Sequence, residues 1–369
     1  MRDIYSDYVH AIRFALEGKP QEASLLAKRS LSSLSKTSPE LAHVVTNLLA
    51  QFSSAKPVRG NVAGVLPIDM DSRMELVSNE WVVMDKEPTW PTAVNELLLS
   101  IVQERVHMDN LLQRGIEPTK SALFVGPPGV GKTLAARWLS FKLGRPLVTM
   151  DLASVMSSYL GRTGNNIRAV IQYGQETPSV LLLDEFDAVA KRRGDDSEVG
   201  ELKRLVTVLL QTIDRWPATG LLLAATNHPD LLDPAIWRRF DRIIEFPVPS
   251  REVIEPFIKG LFDADDTINS WGEWISILAI ALGGSSFSDI SRFVNNARRE
   301  SVINERPILE VLESDVHSLL RHSDKALRLT VAQNLLQAGF SQRRVAQITS
   351  LARDTVRRHA INDAQERNE

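Results

Sequence analysis

Eight consecutive residues constrain this chain more than any others: Gly126-Pro127-Pro128-Gly129-Val130-Gly131-Lys132-Thr133, a complete G-x-x-x-x-G-K-[ST] pattern. A short apolar run, Ala122-Leu123-Phe124-Val125, precedes it, and a stretch of helix formers from Leu134 to Leu143 follows. Strand, glycine-rich turn and helix in that order make a phosphate loop. Its glycines let the backbone curl until N–H groups converge on phosphate oxygens, and the helix N-terminus adds positive potential. Gly126, Pro127, Pro128, Gly129, Val130, Gly131, Lys132, Thr133 and Leu134 are the expected nucleotide-binding residues. The Lys132 ammonium would neutralise β- and γ-phosphates and the Thr133 hydroxyl would reach Mg²⁺, so ATP and Mg²⁺ are the expected cofactors.

A second acidic signal lies downstream. Leu181-Leu182-Leu183-Asp184-Glu185 reads as an apolar strand ending in two carboxylates. Asp184 would hold the metal with Thr133, and Glu185 would orient and polarise an attacking water. Around these motifs short runs rich in leucine or β-branched residues alternate with helical stretches: 121–125, 146–151, 180–184, 221–226 and 243–248. That alternation predicts an α/β fold, a doubly wound parallel sheet. The expected organisation is a helical N-terminal adaptor over 1–55, a linker over 56–80 and the nucleotide-binding domain over 81–250. A helical lid over 251–325 and a helical C-terminal segment over 326–369 complete it.

Taken with these motifs, the region 95–305 resembles an AAA+ ATPase module of the AAA clade. Leu222-Leu223-Ala224-Ala225-Thr226-Asn227 resembles the sensor-1 strand, where Asn227 would contact the γ-phosphate or the lytic water. Asp233-Pro234-Ala235-Ile236-Trp237-Arg238-Arg239-Phe240-Asp241-Arg242 resembles the compact arginine-finger segment of the katanin and spastin group. The resemblance implies that Lys132, Glu185, Asn227, Arg238 and Arg239 carry ATP hydrolysis. The arginines would serve a neighbour's site, so the chain would form a homo-oligomeric ring, usually a hexamer. Gly283-Gly284-Ser285-Ser286-Phe287-Ser288-Asp289-Ile290 lies near the family's Gly-x-Ser-x-x-Asp-Ile lid turn.

The resemblance extends to what the ring would act on. Tyr159-Leu160-Gly161 resembles a pore loop that grips an extended polypeptide, an aromatic in the domain core being the alternative. The charged stretch 191–196 fits a second pore loop or a solvated loop equally. No H-E-x-x-H or G-x-S-x-G pattern occurs, so any proteolysis must come from a separate chain; similar bacterial proteins pair with subtilisin-like serine proteases. Residues 339–359 resemble a helix-turn-helix, with Val345, Leu351 and Val356 packing its helices together. Arg353, Thr355, Arg357 and Arg358 would face duplex DNA. The bland alternatives are a structural bundle with solvated arginines or a protein adaptor.

Composition narrows the rest. There is no cysteine, which excludes a disulfide scaffold and any thiolate chemistry, and the net charge of -3 leaves only local basic patches to attract nucleic acid. The N-terminus lacks the basic and apolar character of a signal peptide, no run approaches a membrane span, and a cytoplasmic location without membrane contact is expected. The leading expectation is an ATP-hydrolysing motor that remodels or threads protein, tethered to DNA by its tail. The alternatives are a DNA-binding ATPase regulator in transposition or plasmid maintenance, or an ATP-dependent switch controlling an effector in a toxin or defence system.

Overall fold

The computed structural model describes residues 66–358 except 70–72, 74, 158–162, 189–208 and 263–271. All of them belong to one compact unit. The expected N-terminal helices, Tyr159, Leu160, Gly161 and the 191–196 stretch lie outside the described residues.

Six strands form one sheet: β1 (Ser78–Glu80), β2 (Ser121–Val125), β3 (Leu147–Asp151), β4 (Val180–Asp184), β5 (Leu221–Thr226) and β6 (Arg242–Glu245), in spatial order β1-β3-β4-β5-β2-β6. β2 to β6 pair in parallel, as their sequence predicts, and β1 adds an antiparallel edge through Ser78↔Thr149 and Glu80↔Leu147. β1 falls within the stretch read as linker. Its residues, Ser78-Asn79-Glu80, carry no β-branched or apolar signal, and pairing with β3 supplies the order instead.

Strands β2, β4 and β5 are covered on both faces, which is why they read as unbroken apolar runs. Alternate side chains serve opposite faces. Leu123, Leu181, Leu183 and Leu222 join a core with α5 (Thr163–Glu176) and the helix α6 (209–214), through Ile167, Val170 and Ile213. Phe124, Leu182 and Leu223 face the other way, onto α1 (Thr92–Val106) and α3 (Lys132–Leu143). The short helices α2 (Met108–Gln113), α4 (Leu152–Ser157) and α7 (Pro234–Trp237) complete the connections.

After β6 the chain is helical: α8 (Arg251–Phe262), α9 (Gly272–Ala281), α10 (Phe287–Ile303), α11 (Ile308–Arg321), α12 (Lys325–Gln337), α13 (Gln342–Thr349) and a last helix α14 at 353–358. One apolar core runs through all of it, from Ile254 to Val356. Trp274 of α9 stacks edge-on against Phe340, with ring centroids 5.7 Å apart, and Phe340 also carries the Arg344 guanidinium. Arg344 grips Glu313 of α11 through Nε at 3.0 and 3.2 Å and through a second nitrogen, while His317 Nδ1 lies 3.1 Å from the Ile348 carbonyl.

Since lid and tail share this core, Leu335→Ala, in a fully buried α12 position, is expected to cost about 2–5 kcal/mol. Hydrogen exchange should show α9 losing protection together with α13. Unchanged protection of α9 would mean that the two parts unfold separately.

Candidate nucleotide site

The sheet order places the C-terminal ends of β2, β4 and β5 side by side, and the candidate site is built there. Such a crevice, at the point where strand order reverses, is where open α/β sheets bind ligands. Gly126 has φ 149°, and an added Cβ would meet the Phe246 carbonyl oxygen at 2.2 Å, so no other residue fits. Gly131, at φ 99°, starts α3 with its carbonyl accepting from Ala135 N at 2.8 Å. The first N–H groups of α3, those of Lys132, Thr133 and Leu134, have no acceptor within the helix and form a ready anion cradle.

Lys132 is buried, and its ammonium donates to three oxygens: Gly126 O at 2.7 Å, Pro127 O at 2.8 Å and Asn227 Oδ1 at 2.7 Å. Burial pulls its pKa down to about 8, against the opposing pull of the Asp184 and Asp187 carboxylates. Thr133 Oγ1 donates to Asp184 Oδ2 at 3.1 Å, so the two expected metal ligands already touch. No group of three or more His, Asp or Glu side chains capable of holding a metal occurs among the described residues. One hydroxyl and one carboxylate suit Mg²⁺, which keeps several waters and takes its remaining ligands from phosphate oxygens.

Glu185 follows in the left-handed region at φ 52°, its N–H donating to Asp184 Oδ1 at 2.9 Å. A non-glycine residue held there costs on the order of 1 kcal/mol or more, and the geometry turns its carboxylate out of the strand into the cavity. Phe186 N donates to Ala225 O at 2.8 Å and locks the turn. Asp187, which no motif had singled out, is buried, accepts from Thr226 Oγ1 at 3.0 Å and fixes the end of β5 where Asn227 sits.

The cavity is about 720 Å³ and continues beyond the phosphate loop to an apolar end formed by Trp90, Leu134, Phe257, Leu261 and Phe287. Here lid and sheet meet. Ser288 N donates to Gly129 O at 3.2 Å, and a Cβ on Gly129 would lie 2.5 Å from Ser286 Oγ. Ser286 caps α10, its hydroxyl accepting from Asp289 N at 3.2 Å and donating to Asp289 Oδ2 at 2.7 Å, which holds that carboxyl below its usual range. The wall residues Trp90, Phe257 and Leu261 escape sequence reasoning because they converge from two separate segments without a motif.

Arg238 and Arg239 are not part of this cluster. Asp241, just after them, accepts from Lys120 N at 2.9 Å and Ser121 N at 3.0 Å, at the start of β2, whereas the phosphate loop begins at its end. Five residues of strand separate the two, about 16 Å. Of the tail residues, Arg353, Arg357 and Arg358 are exposed and Thr355 is half-buried on α14. Val345 and Val356 are buried, Leu351 is half-buried against the same core, and Ser350 takes the left-handed turn at φ 52° between α13 and α14. His228 is an exposed loop residue.

Residues 122–248, from β2 to just past β6, match the family described as ATPase family associated with various cellular activities (AAA). The AAA family ATPase y4kL of Sinorhizobium fredii is 39% identical over 237 residues, 63% of this chain and 68% of that protein. The chain belongs to the AAA family of ATPases. A proteasome-activating nucleotidase of Methanothermobacter thermautotrophicus is 34% identical over 203 residues, 52% of this chain and 48% of the relative. The cell division cycle protein 48 homolog of Archaeoglobus fulgidus is 38% identical over 165 residues, 42% of this chain and 22% of that longer protein. As an AAA ATPase, the chain hydrolyses ATP. Among its described residues no helix is long and apolar enough to cross a membrane.

The Lys132 environment sets a pH dependence. Without phosphate the ammonium loses its proton above about pH 8, and bound phosphate holds the proton on. Nucleotide affinity measured by calorimetry should therefore be level below pH 8 and fall by up to about tenfold per pH unit above it. Folding stability moves the opposite way, because the penalty of the buried charge is relieved between pH 8 and 10.5. Affinity that stays level to pH 9.5 would contradict this role of Lys132.

Proposed function

We propose that the chain is an ATP-driven ring motor that remodels or threads a protein substrate. One observation carries this reading: the cavity holds the phosphate cradle, the metal ligands and the water-activating carboxylate, while Arg238 and Arg239 sit at the opposite end of β2. Neither arginine lines its own cavity, so the segment that carries them serves the nucleotide of an adjacent copy, and the face that presents it meets the face that receives it. Such a head-to-tail contact forms a ring where its rotation closes. The relatives support the assignment through their names, a proteasome-activating nucleotidase and a cell division cycle protein 48 homolog.

In the working site the base occupies the apolar end against Trp90, Phe257 and Phe287, and the phosphates lie over Gly129 to Thr133. Thr133 and Asp184 would hold Mg²⁺, which would neutralise charge on the phosphate oxygens. Glu185 accepts a proton from the attacking water, Asn227 and Lys132 hold the γ-phosphate end, and the arginine segment of the next copy stabilises the charge that develops there. Tyr159, Leu160 and Gly161 grip the substrate polypeptide in the channel. Proteolysis, where it follows, is supplied by a separate chain such as a subtilisin-like serine protease.

A second reading has its own observation. α13, the left-handed Ser350 and α14 form two short helices about a tight turn, with Arg353, Arg357 and Arg358 exposed. These arginines contact phosphates of duplex DNA and tether the ring, or, in a DNA-centred regulator, deliver the ATP signal itself.

ATP turnover of the wild type and Tyr159→Ala, with an unfolded polypeptide or duplex DNA added, separates the two. Threading predicts stimulation by polypeptide that the variant loses. Stimulation by DNA alone, indifferent to Tyr159, replaces the threading reading with the DNA-centred one. Glu185→Gln should retain ATP and assembly while turnover drops by about 10²-fold or more, and near-normal turnover would reassign the water-activating residue.

A further inference from the structure

Arg238 and Arg239 are adjacent, exposed and chemically identical, yet the structure treats them differently. The Arg239 guanidinium is in an ion pair with Asp214, at the end of α6, whereas the Arg238 side chain has no partner among the described residues. The backbone beneath Arg239 is also fixed. Its N–H donates to Ile236 O at 3.1 Å, and the next residue, Phe240, is buried with its ring edge-on to Phe186 at 5.9 Å. Phe186 is the residue after the water-activating Glu185. Arg238 closes α7 at φ -73° and ψ -7°, close to helical geometry. Successive side chains on a helical turn diverge by about 100°, so while Arg239 points to Asp214 of its own subunit, Arg238 points elsewhere.

We infer that the pair divides the work: Arg238 is the group that enters the neighbouring copy's site, and Arg239 is a positioning residue that Asp214 holds in its own subunit, fixing the turn from which Arg238 projects. This rests on the trans reading proposed above and deepens it. The Asp214–Arg239 pair is exposed on both sides, with side-chain exposures of 36% and 46%. Its removal therefore loosens the turn without unfolding the domain, and the expected effects are modest. Removal of Arg238 takes away the cation itself, and its effect is large.

The test is turnover by the assembled full-length chain at saturating ATP, with KM recorded alongside. Arg238→Ala should lower kcat by about 10³-fold or more with KM little changed, and Arg238→Lys should not restore it, because an ammonium lacks the planar fork. Arg239→Ala and Asp214→Asn should each lower kcat about fivefold, and Arg239→Lys, which keeps the ion pair, should recover most of the loss. The double variant Asp214→Asn/Arg239→Ala should be no slower than either single one, since both remove the same contact. A loss in Arg239→Ala as deep as that in Arg238→Ala, or single losses that multiply in the double variant, would overturn the division of roles.

Mixed assemblies keep the two readings apart. Arg238→Ala subunits mixed with Glu185→Gln subunits should regain activity, because the latter supply an intact arginine to the former's intact site. Recovery combined with equal losses at Arg238 and Arg239 overturns the division alone, whereas no recovery at any ratio overturns the trans reading and the division together.

Discussion

The Lys132 ammonium, buried with all three of its N–H groups satisfied, is the contact on which the rest of the site depends. A buried cation is tolerated only when its donors are met, and here the acceptors come from two strands: Gly126 and Pro127 after β2, and Asn227 after β5. Those strands must therefore be neighbours, and they are, in register from Ser121↔Leu222 to Val125↔Thr226. β4 joins from the far side of β5 and delivers Asp184 to Thr133. One charge-balancing problem thus dictates the order of three central strands, and the helices on both faces follow, because strands enclosed this way must bury both sides.

Gly129 carries the same constraint into the lid. At φ 78° and within 2.5 Å of Ser286 Oγ for any added Cβ, it is the place where the phosphate loop and α10 touch through Ser288 N. Because α8 to α14 share one core, α10 cannot shift on the phosphate loop without carrying the tail's helices. The capping box at Ser286 and Asp289 stiffens the contact, since it fixes the first turn of α10 at the point nearest the phosphates.

Parts of this were legible in the sequence for identifiable reasons. Strands β2, β4 and β5 stand out because burial on both faces forces apolar runs, and the phosphate loop because its glycines answer to steric limits no other residue meets. The start of α10 was visible in the resemblance of residues 283–290 to the family's lid turn. What escaped lacks a local cause. β1 owes its order to β3, since Ser78-Asn79-Glu80 has no strand preference of its own. Trp90, Phe257 and Phe287 become one apolar wall only when the sheet and the lid close on each other. Asp187 is visible as an acid near Asp184, but its function of fixing Thr226 depends on β4 lying beside β5. Ser350 occupies a left-handed turn that glycine would fill more cheaply, so sequence rules undervalue the turn.

The separation of the arginines from the cavity follows from strand direction rather than from any detail of the finger segment. In a parallel sheet every crossover returns the chain from the C-terminal to the N-terminal edge. The segment joining β5 to β6 thus leaves beside the nucleotide at Asn227 and arrives, by Asp241, at the start of β2. Asp241, bonded to Lys120 N and Ser121 N, anchors that arrival and holds the arginines at the far edge. A chain built this way has its phosphate cradle on one edge of the sheet and its second set of cations on the other. Two such chains related by a twofold axis could serve each other's cavities only by lying antiparallel, and that arrangement ends at two copies without enclosing a channel. A repeated head-to-tail arrangement also gives every cavity a donor and, where its rotation closes, surrounds a channel, so the proposed ring follows from the direction of β2 and β6 taken together with the threading reading.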